Sequence, residues 1–150
     1  MAILLCFDGS DQSKHAVGVT GELFAGAQTH VLNVWEPVER IVARYAVLAP
    51  YMGEELGAAD DSAQDAAAAT AAEGVELAAA AGLHATAHTA KLVTTVWEAV
   101  LEVAQVLDVD VIITGTRSLH GVREMVSNTL SHALIQHSPR AVLAIPTPVS

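Results

Sequence analysis

The sequence predicts an α/β fold, a parallel sheet with helices on both faces, and two observations predict it. Short apolar runs of strand length alternate with longer segments of helical period, in the order β-α-β-α-β-α-β-α-β. The 150 residues are 52% hydrophobic but only 4% aromatic, with alanine supplying much of the difference. Ala-rich helices laid on a small sheet give that balance, and parallel neighbours imply right-handed crossovers. The length suits a single domain over 1–150, with no linker, repeat or composition shift to mark a second.

The first strand is Ala2–Phe7, apolar throughout and therefore expected to be covered on both faces. Asp8-Gly9-Ser10 closes it with turn chemistry and supplies Ser10 as a helix N-cap. The helix that follows carries Ala16, Val17, Thr20, Leu23 and Phe24 on one stripe and ends near Gly26. Thr29–Trp35 is the second strand, stopped by Glu36-Pro37. Glu39–Gly57, with Pro50 and Gly53, is the least regular segment and is expected to be a mobile flap or lid, with room for a helical part. Asp60-Asp61-Ser62 opens an Ala-rich helix to about Gly82, its acids at the positive end of the dipole. The Ala66–Ala69 and Ala78–Ala81 runs are expected to face a close neighbour. His84–Leu92 alternates as the third strand, placing His84, Thr86 and His88 on one face. Thr95-Val96-Trp97-Glu98 matches a capping box, and its helix carries Trp97, Val100, Leu101, Ala104 and Leu107. Asp110–Thr114 is the fourth strand; a helix to about His137 and a fifth strand, Ala141–Ile145, complete the order.

The formal net charge of −10, with seven scattered Lys and Arg, opposes nucleic-acid binding. An anionic small ligand would need local help from backbone amides. No apolar run reaches the roughly 20 residues of a membrane-spanning helix. MAILLCF has no basic region and is too short in apolar residues for a signal peptide. Cys6, the sole cysteine, sits inside an apolar run and is expected to be a buried structural thiol. A cytoplasmic location fits these features.

Ligands of such sheets bind beyond the C-terminal strand ends, where the strand order reverses. Strands one and four end in the loops richest in small residues. Ile112–Ser131 (IITGTRSLHGVREMVSNTLS) begins as a buried strand, is expected to break at Gly115, and crosses a polar loop onto a helix N-terminus, where amides and dipole favour an anion. Neither G-x-G-x-x-G nor G-x-x-x-x-G-K-[ST] is present. No G-x-S-x-G elbow or paired carboxylates support hydrolysis, so no catalytic residue is expected. The seven histidines make no tight set with Cys or carboxylates, so no metal site is expected; His120 is taken as a solvated loop residue. Trp35 and Trp97 are expected to anchor the core. Arg123 suits solvated surface charge, whereas Arg117 suits either that role or a phosphate clamp. Asp8 serves equally as a turn residue capping the first helix, and Thr129 and Ser131 as ordinary helix-start hydroxyls.

FDGS after the first strand, with ITGTRSLHGVREMVSNTLSHALIQHSPRAVLAIP, resembles the universal stress protein family over nearly the full chain. That family's signature is G-x-x-G, nine residues, then G-[ST]. Here Gly115 matches the first glycine, Ser118 and Asn128 replace the other two, and Thr129 and Ser131 match hydroxyl positions. The resemblance implies a Rossmann-like, adenine nucleotide alpha hydrolase-like fold: three layers around an open five-stranded parallel sheet of order 3-2-1-4-5. It also implies a homodimer through Ala141–Ile145, which would satisfy an otherwise unpaired edge. A site for ATP or another adenine nucleotide, with Mg2+ as its companion ion, would comprise Asp8, Val34, Gly115, Arg117, Ser118, Asn128, Thr129, Leu130 and Ser131.

Asn128 can keep the backbone conformation of a glycine but not its clearance. As an N-cap it would also consume an amide near Leu130 or Ser131 that a phosphate needs, so weak ATP binding is expected. The leading functional reading is a nucleotide-responsive stress-response module whose Glu39–Gly57 flap reports occupancy to protein partners. The alternative is a nucleotide-independent homodimeric interaction protein. A slow ATPase, with Asp8 helping to hold Mg2+ or water, ranks third.

Overall fold

In the computed structural model, which describes residues 1–38, 40, 53–117 and 129–148, the first apolar run is the middle of a sheet. Ile3, Leu4 and Leu5 are all 0% exposed, the burial of a strand covered on both faces. The elements run β1 (Ala2–Cys6), α1 (Asp11–Leu23), β2 (Gln28–Trp35), α2 (Gly53–Ala80), β3 (His84–Lys91), α3 (Val96–Val106), β4 (Val111–Arg117), α4 (Thr129–His137) and β5 (Ala141–Thr147). The five strands form one parallel sheet in the order β3-β2-β1-β4-β5, as the resemblance implied. All strands point the same way, so their C-terminal ends share one edge.

Alternation along the strands divides the core. Ile3, Leu5, Phe7, Val31 and Ile113 face one side with Ala16 and Val17 of α1 and Ala78 of α2. Leu4, Leu32 and Ile112 face the other with Val100 and Ala104 of α3 and Leu134 of α4. The Ala-rich helix presents a small-residue stripe, with Ala67, Ala71, Gly74 and Ala78 buried and most of its remaining alanines exposed. A Cβ at Gly74 would lie 2.7 Å from Val31 Cγ1 and 2.8 Å from Phe7 Cδ1. Small residues thus let α2 approach the sheet, while exposed alanines favour the helix by propensity alone.

Two boundaries and one cap differ from the sequence expectation. α2 starts at Gly53, so residues 53–57 are helical and Asp60-Asp61-Ser62 lie inside the helix. The Asp60 carboxylate accepts the Val38 N–H at 2.7 Å rather than marking a helix start. Gly57 costs about 1 kcal/mol in a helix, which a long run of strong helix formers outweighs. The rest of the expected lid, Glu39 and residues 41–52, lies outside the described residues; the guanidinium of Arg40 donates to the carbonyls of Val93 and Thr94. β5 runs past Pro146 to Thr147, because an edge strand tolerates a missing donor. In the expected capping box only the Thr95 half forms: Thr95 Oγ1 accepts the Glu98 N–H at 3.2 Å, while the Glu98 carboxylate takes the Thr94 hydroxyl at 2.6 Å. No described helix is long and apolar enough to cross a membrane.

Candidate functional site

The site is built first from the turn after β1. Asp8 Oδ1 accepts the Ser10 N–H at 2.9 Å, closing an Asx-type turn. Ser10 then caps α1, its Oγ accepting the Ser13 N–H at 3.2 Å while the Ser13 hydroxyl donates to the Ser10 carbonyl at 2.9 Å. Partial desolvation pushes the Asp8 carboxyl up, but the Ser10 hydroxyl and amide and the Ser13 hydroxyl outweigh it and hold the group below its ordinary 3.8. The carboxylate is therefore ionised and exposed at the sheet edge. Desolvation, and then the Asp8 charge, pushes the Cys6 thiol up to about 12, although the residue is half-buried and not fully buried as expected.

The second part comes from β4, which neighbours β1 at the point where strand order reverses. The strand does not break at Gly115. It continues to Arg117, paired with β5 through Gly115–Ile145, Thr116–Pro146 and Arg117–Thr147. What Gly115 provides is clearance: a Cβ there would lie 2.4 Å from the Gln12 carbonyl oxygen and 3.3 Å from the Ser13 amide nitrogen. The first turn of α1 thus rests directly on the end of β4. The sequence reading assigned this glycine to a phosphate loop; the fold uses it to seat one helix N-terminus beside the other strand's end.

The remaining candidates divide by element. Val34, near the end of β2, and Leu130, in the first turn of α4, are half-buried and pack against one apolar cluster with Leu4, Leu32 and Ile112. Ser131, which follows Leu130 on α4, is buried. The Asn33 side-chain amide donates to the Phe7 carbonyl at 2.9 Å, tying the end of β2 to the turn that holds Asp8. Arg117 closes β4 and Thr129 opens α4. Ser118 and Asn128, with His120, Arg123 and the expected Asn128 cap, lie outside the described residues. Asp8, Val34 and Gly115 therefore sit at one edge of three adjacent strands, and Leu130 joins Val34 through the shared apolar layer.

Two arrangements escaped sequence reasoning. Trp35 is no core anchor: it is half-buried, with Lys91 Nζ 5.9 Å from its ring centroid. Together with Asp60, Asp61, Gln64 and Thr89 it lines an open cleft of about 490 Å³ between α2 and the ends of β2 and β3. The reason is position, since Trp35 ends its strand where the layer above it is polar. Trp97 does pack on the core, and its outer ring face stacks on His137 at 4.4 Å. The second arrangement is His30 against His88, whose ring nitrogens Nδ1 and Nε2 stand 2.9 Å apart. His88 was placed on a strand face, but nothing local in the sequence pointed to His30.

The model of the Universal stress protein family matches residues 1–146. Among solved structures, the chain is similar to a universal stress protein family member from Burkholderia pseudomallei, at 18% identity and a TM-score of 0.71, over 97% of this chain and 96% of that one. It is similar to a universal stress protein from Archaeoglobus fulgidus in complex with dAMP, at 15% identity and TM-score 0.65, covering 97% of both chains. A family protein from Arabidopsis thaliana with AMP bound is 13% identical at TM-score 0.68, over 99% of this chain and 93% of that one. A comparison with curated protein sequences finds no match. With the sheet order, the turn after β1 and the family match over nearly its whole length in agreement, the chain belongs to the universal stress protein family.

Proposed function

We propose that this protein binds an adenine nucleotide at the β1–β4 switch point and serves in the cytoplasm as a nucleotide-responsive stress-response module, a single domain over 1–150. The observation that carries this reading is the seating of the α1 N-terminus on Gly115, which sets the Asp8 turn beside the end of β4. Val34 and Leu130 supply an apolar wall suited to a base, and the start of α4 supplies amides suited to phosphates. Family relatives hold AMP and dAMP, which supports the same ligand class here. Arg117, Ser118, Asn128, Thr129 and Ser131 complete the proposed contacts. Mg2+, when present, would be held by Asp8 and the phosphates, since one carboxylate with a nucleotide suits that ion. The weak binding proposed for the site rests on Asn128 standing in the sequence where the family signature has glycine, directly before α4. Dimerisation through the open edge of β5 accompanies this reading.

A second reading, a nucleotide-independent homodimeric interaction protein, draws on the Asp8 carboxylate's engagement in its own turn. Thermal melting with millimolar ATP-Mg or AMP separates the two. A ligand at a hundred times its dissociation constant adds about 2.7 kcal/mol of stability, so a raised melting temperature is expected. Calorimetry should show tighter binding in Asn128→Gly than in wild type; equal affinities would remove Asn128 as the cause of weakness. No shift in either protein would replace the nucleotide reading with the interaction protein.

A further inference from the structure

The His30–His88 pair lies on the α3–α4 face of the sheet, away from the switch point and independent of any nucleotide. His30 stands opposite Thr86 and His88 opposite Leu32, so the two rings meet diagonally across β2 and β3. The ladder between those strands runs unbroken from Gln28–His84 to Trp35–Lys91, which fixes both backbones. Nδ1 of one ring faces Nε2 of the other at 2.9 Å, with ring centroids 4.9 Å apart and planes tilted by 58°. Such a spacing has two chemical uses. One is a hydrogen bond, in which one neutral ring donates its proton to the other. The other is chelation: metal–imidazole bonds of about 2.0–2.1 Å place two ligands in cis positions about 3 Å apart.

We propose that His30 and His88 form a bidentate site for one divalent transition-metal ion, copper(II) in preference to nickel(II) or zinc(II). The near-right-angle bite implied by the 2.9 Å separation suits the square-planar or tetragonal geometry of copper(II) more than a tetrahedron. Both rings are half-buried rather than sealed, so water completes the coordination shell. Among the described residues no group of three or more His, Cys, Asp and Glu side chains suited to a metal occurs, and the proposed site is this pair of rings. On binding, the donating ring's proton passes through water to that ring's other nitrogen, so both imidazoles stay neutral and the metal takes the proton's place between them. Desolvation, together with repulsion from His30, lowers the His88 pKa below its ordinary 6.5, which keeps that ring neutral and ligand-ready at pH 7. The net charge of −10 concentrates divalent cations around the chain.

Metal-free full-length protein titrated with copper(II) in a non-coordinating buffer, against a competing chelator, tests the site. One tight equivalent is expected, weakened by about tenfold or more in His30→Gln and in His88→Gln, and unchanged in His84→Gln, which lies on the same strand face. Unchanged affinity in His88→Gln, or an equal loss in His84→Gln, would overturn the proposal. Should either variant fail to fold, the wild type decides by NMR. Substoichiometric copper(II) should broaden the His30 and His88 ring signals before those of any other histidine or the N-terminus, and any other order rejects the site.

Discussion

The centre of the sheet and its β2–β3 margin bring residues together by different means. At the centre, β1 and β4 end in sequences that already look like turns, and Gly115 lets α1 settle on the gap between them. At the margin, His30 and His88 meet only because two strands pair in one register. The first arrangement depends on backbone clearance and the second on side-chain register. Substitutions should therefore damage them differently.

The largest effect is expected at the centre. Gly115→Val forces a side chain into the Gln12 backbone, where even a Cβ would meet the carbonyl oxygen at 2.4 Å. Overpacking of this kind costs about 3 kcal/mol, visible as a lowered urea midpoint. Gly18→Ala in α1 is the control: a Cβ there meets nothing within 4 Å, so its added helix propensity should stabilise by about 1 kcal/mol. Equal behaviour of the two variants would mean that clearance at Gly115 is not what joins the halves.

A smaller effect is expected at the turn itself. Ser10→Ala removes the cap accepted by the Ser13 amide and should cost about 1 kcal/mol in the same measurement. It should also weaken the hold on Asp8, whose carboxyl is kept low by Ser10 first among its hydrogen-bond partners. A group with a lowered carboxyl pKa stabilises the fold above its unfolded value and loses that contribution as pH falls through the folded one. Stability should therefore fall less steeply as pH drops below 3.8 in Ser10→Ala than in wild type.

The smallest effect belongs to the margin. His88 takes up a proton less readily when folded, so its contribution is complete above about pH 6.5 and declines as pH falls below that value. Stability measured from pH 7.5 to 5 should slope downward less in His88→Gln than in wild type. An identical slope would assign the pH response to other groups.

Sequence reasoning handled the centre better because its signals are local. Ser10 as a cap and the burial of Ile3–Leu5 and Ile112–Thr114 follow from neighbours a few positions apart. Its errors also arose where local chemistry was outvoted. Asp60-Asp61-Ser62 carries good helix-start residues, yet the helix extends upstream to Gly53 and Asp60 caps Val38 instead. Gly115 looked like a strand breaker, yet pairing with β5 carries the strand through it. Trp35 looked like a core anchor because indole is apolar, but the end of β2 opens onto a polar cleft.

The sequence alone determined the alternation of strands and helices and the burial of β1, because apolar periodicity and turn chemistry are written within short windows, and its resemblance to the family's motifs pointed to the family. Tertiary structure decided that Gly115 serves the seating of α1, that Val34 and Leu130 share one wall, and that His30 faces His88. Each of these depends on strand register and helix approach. Those are settled by which surfaces close together across the whole sheet, and no local stretch of sequence carries that information.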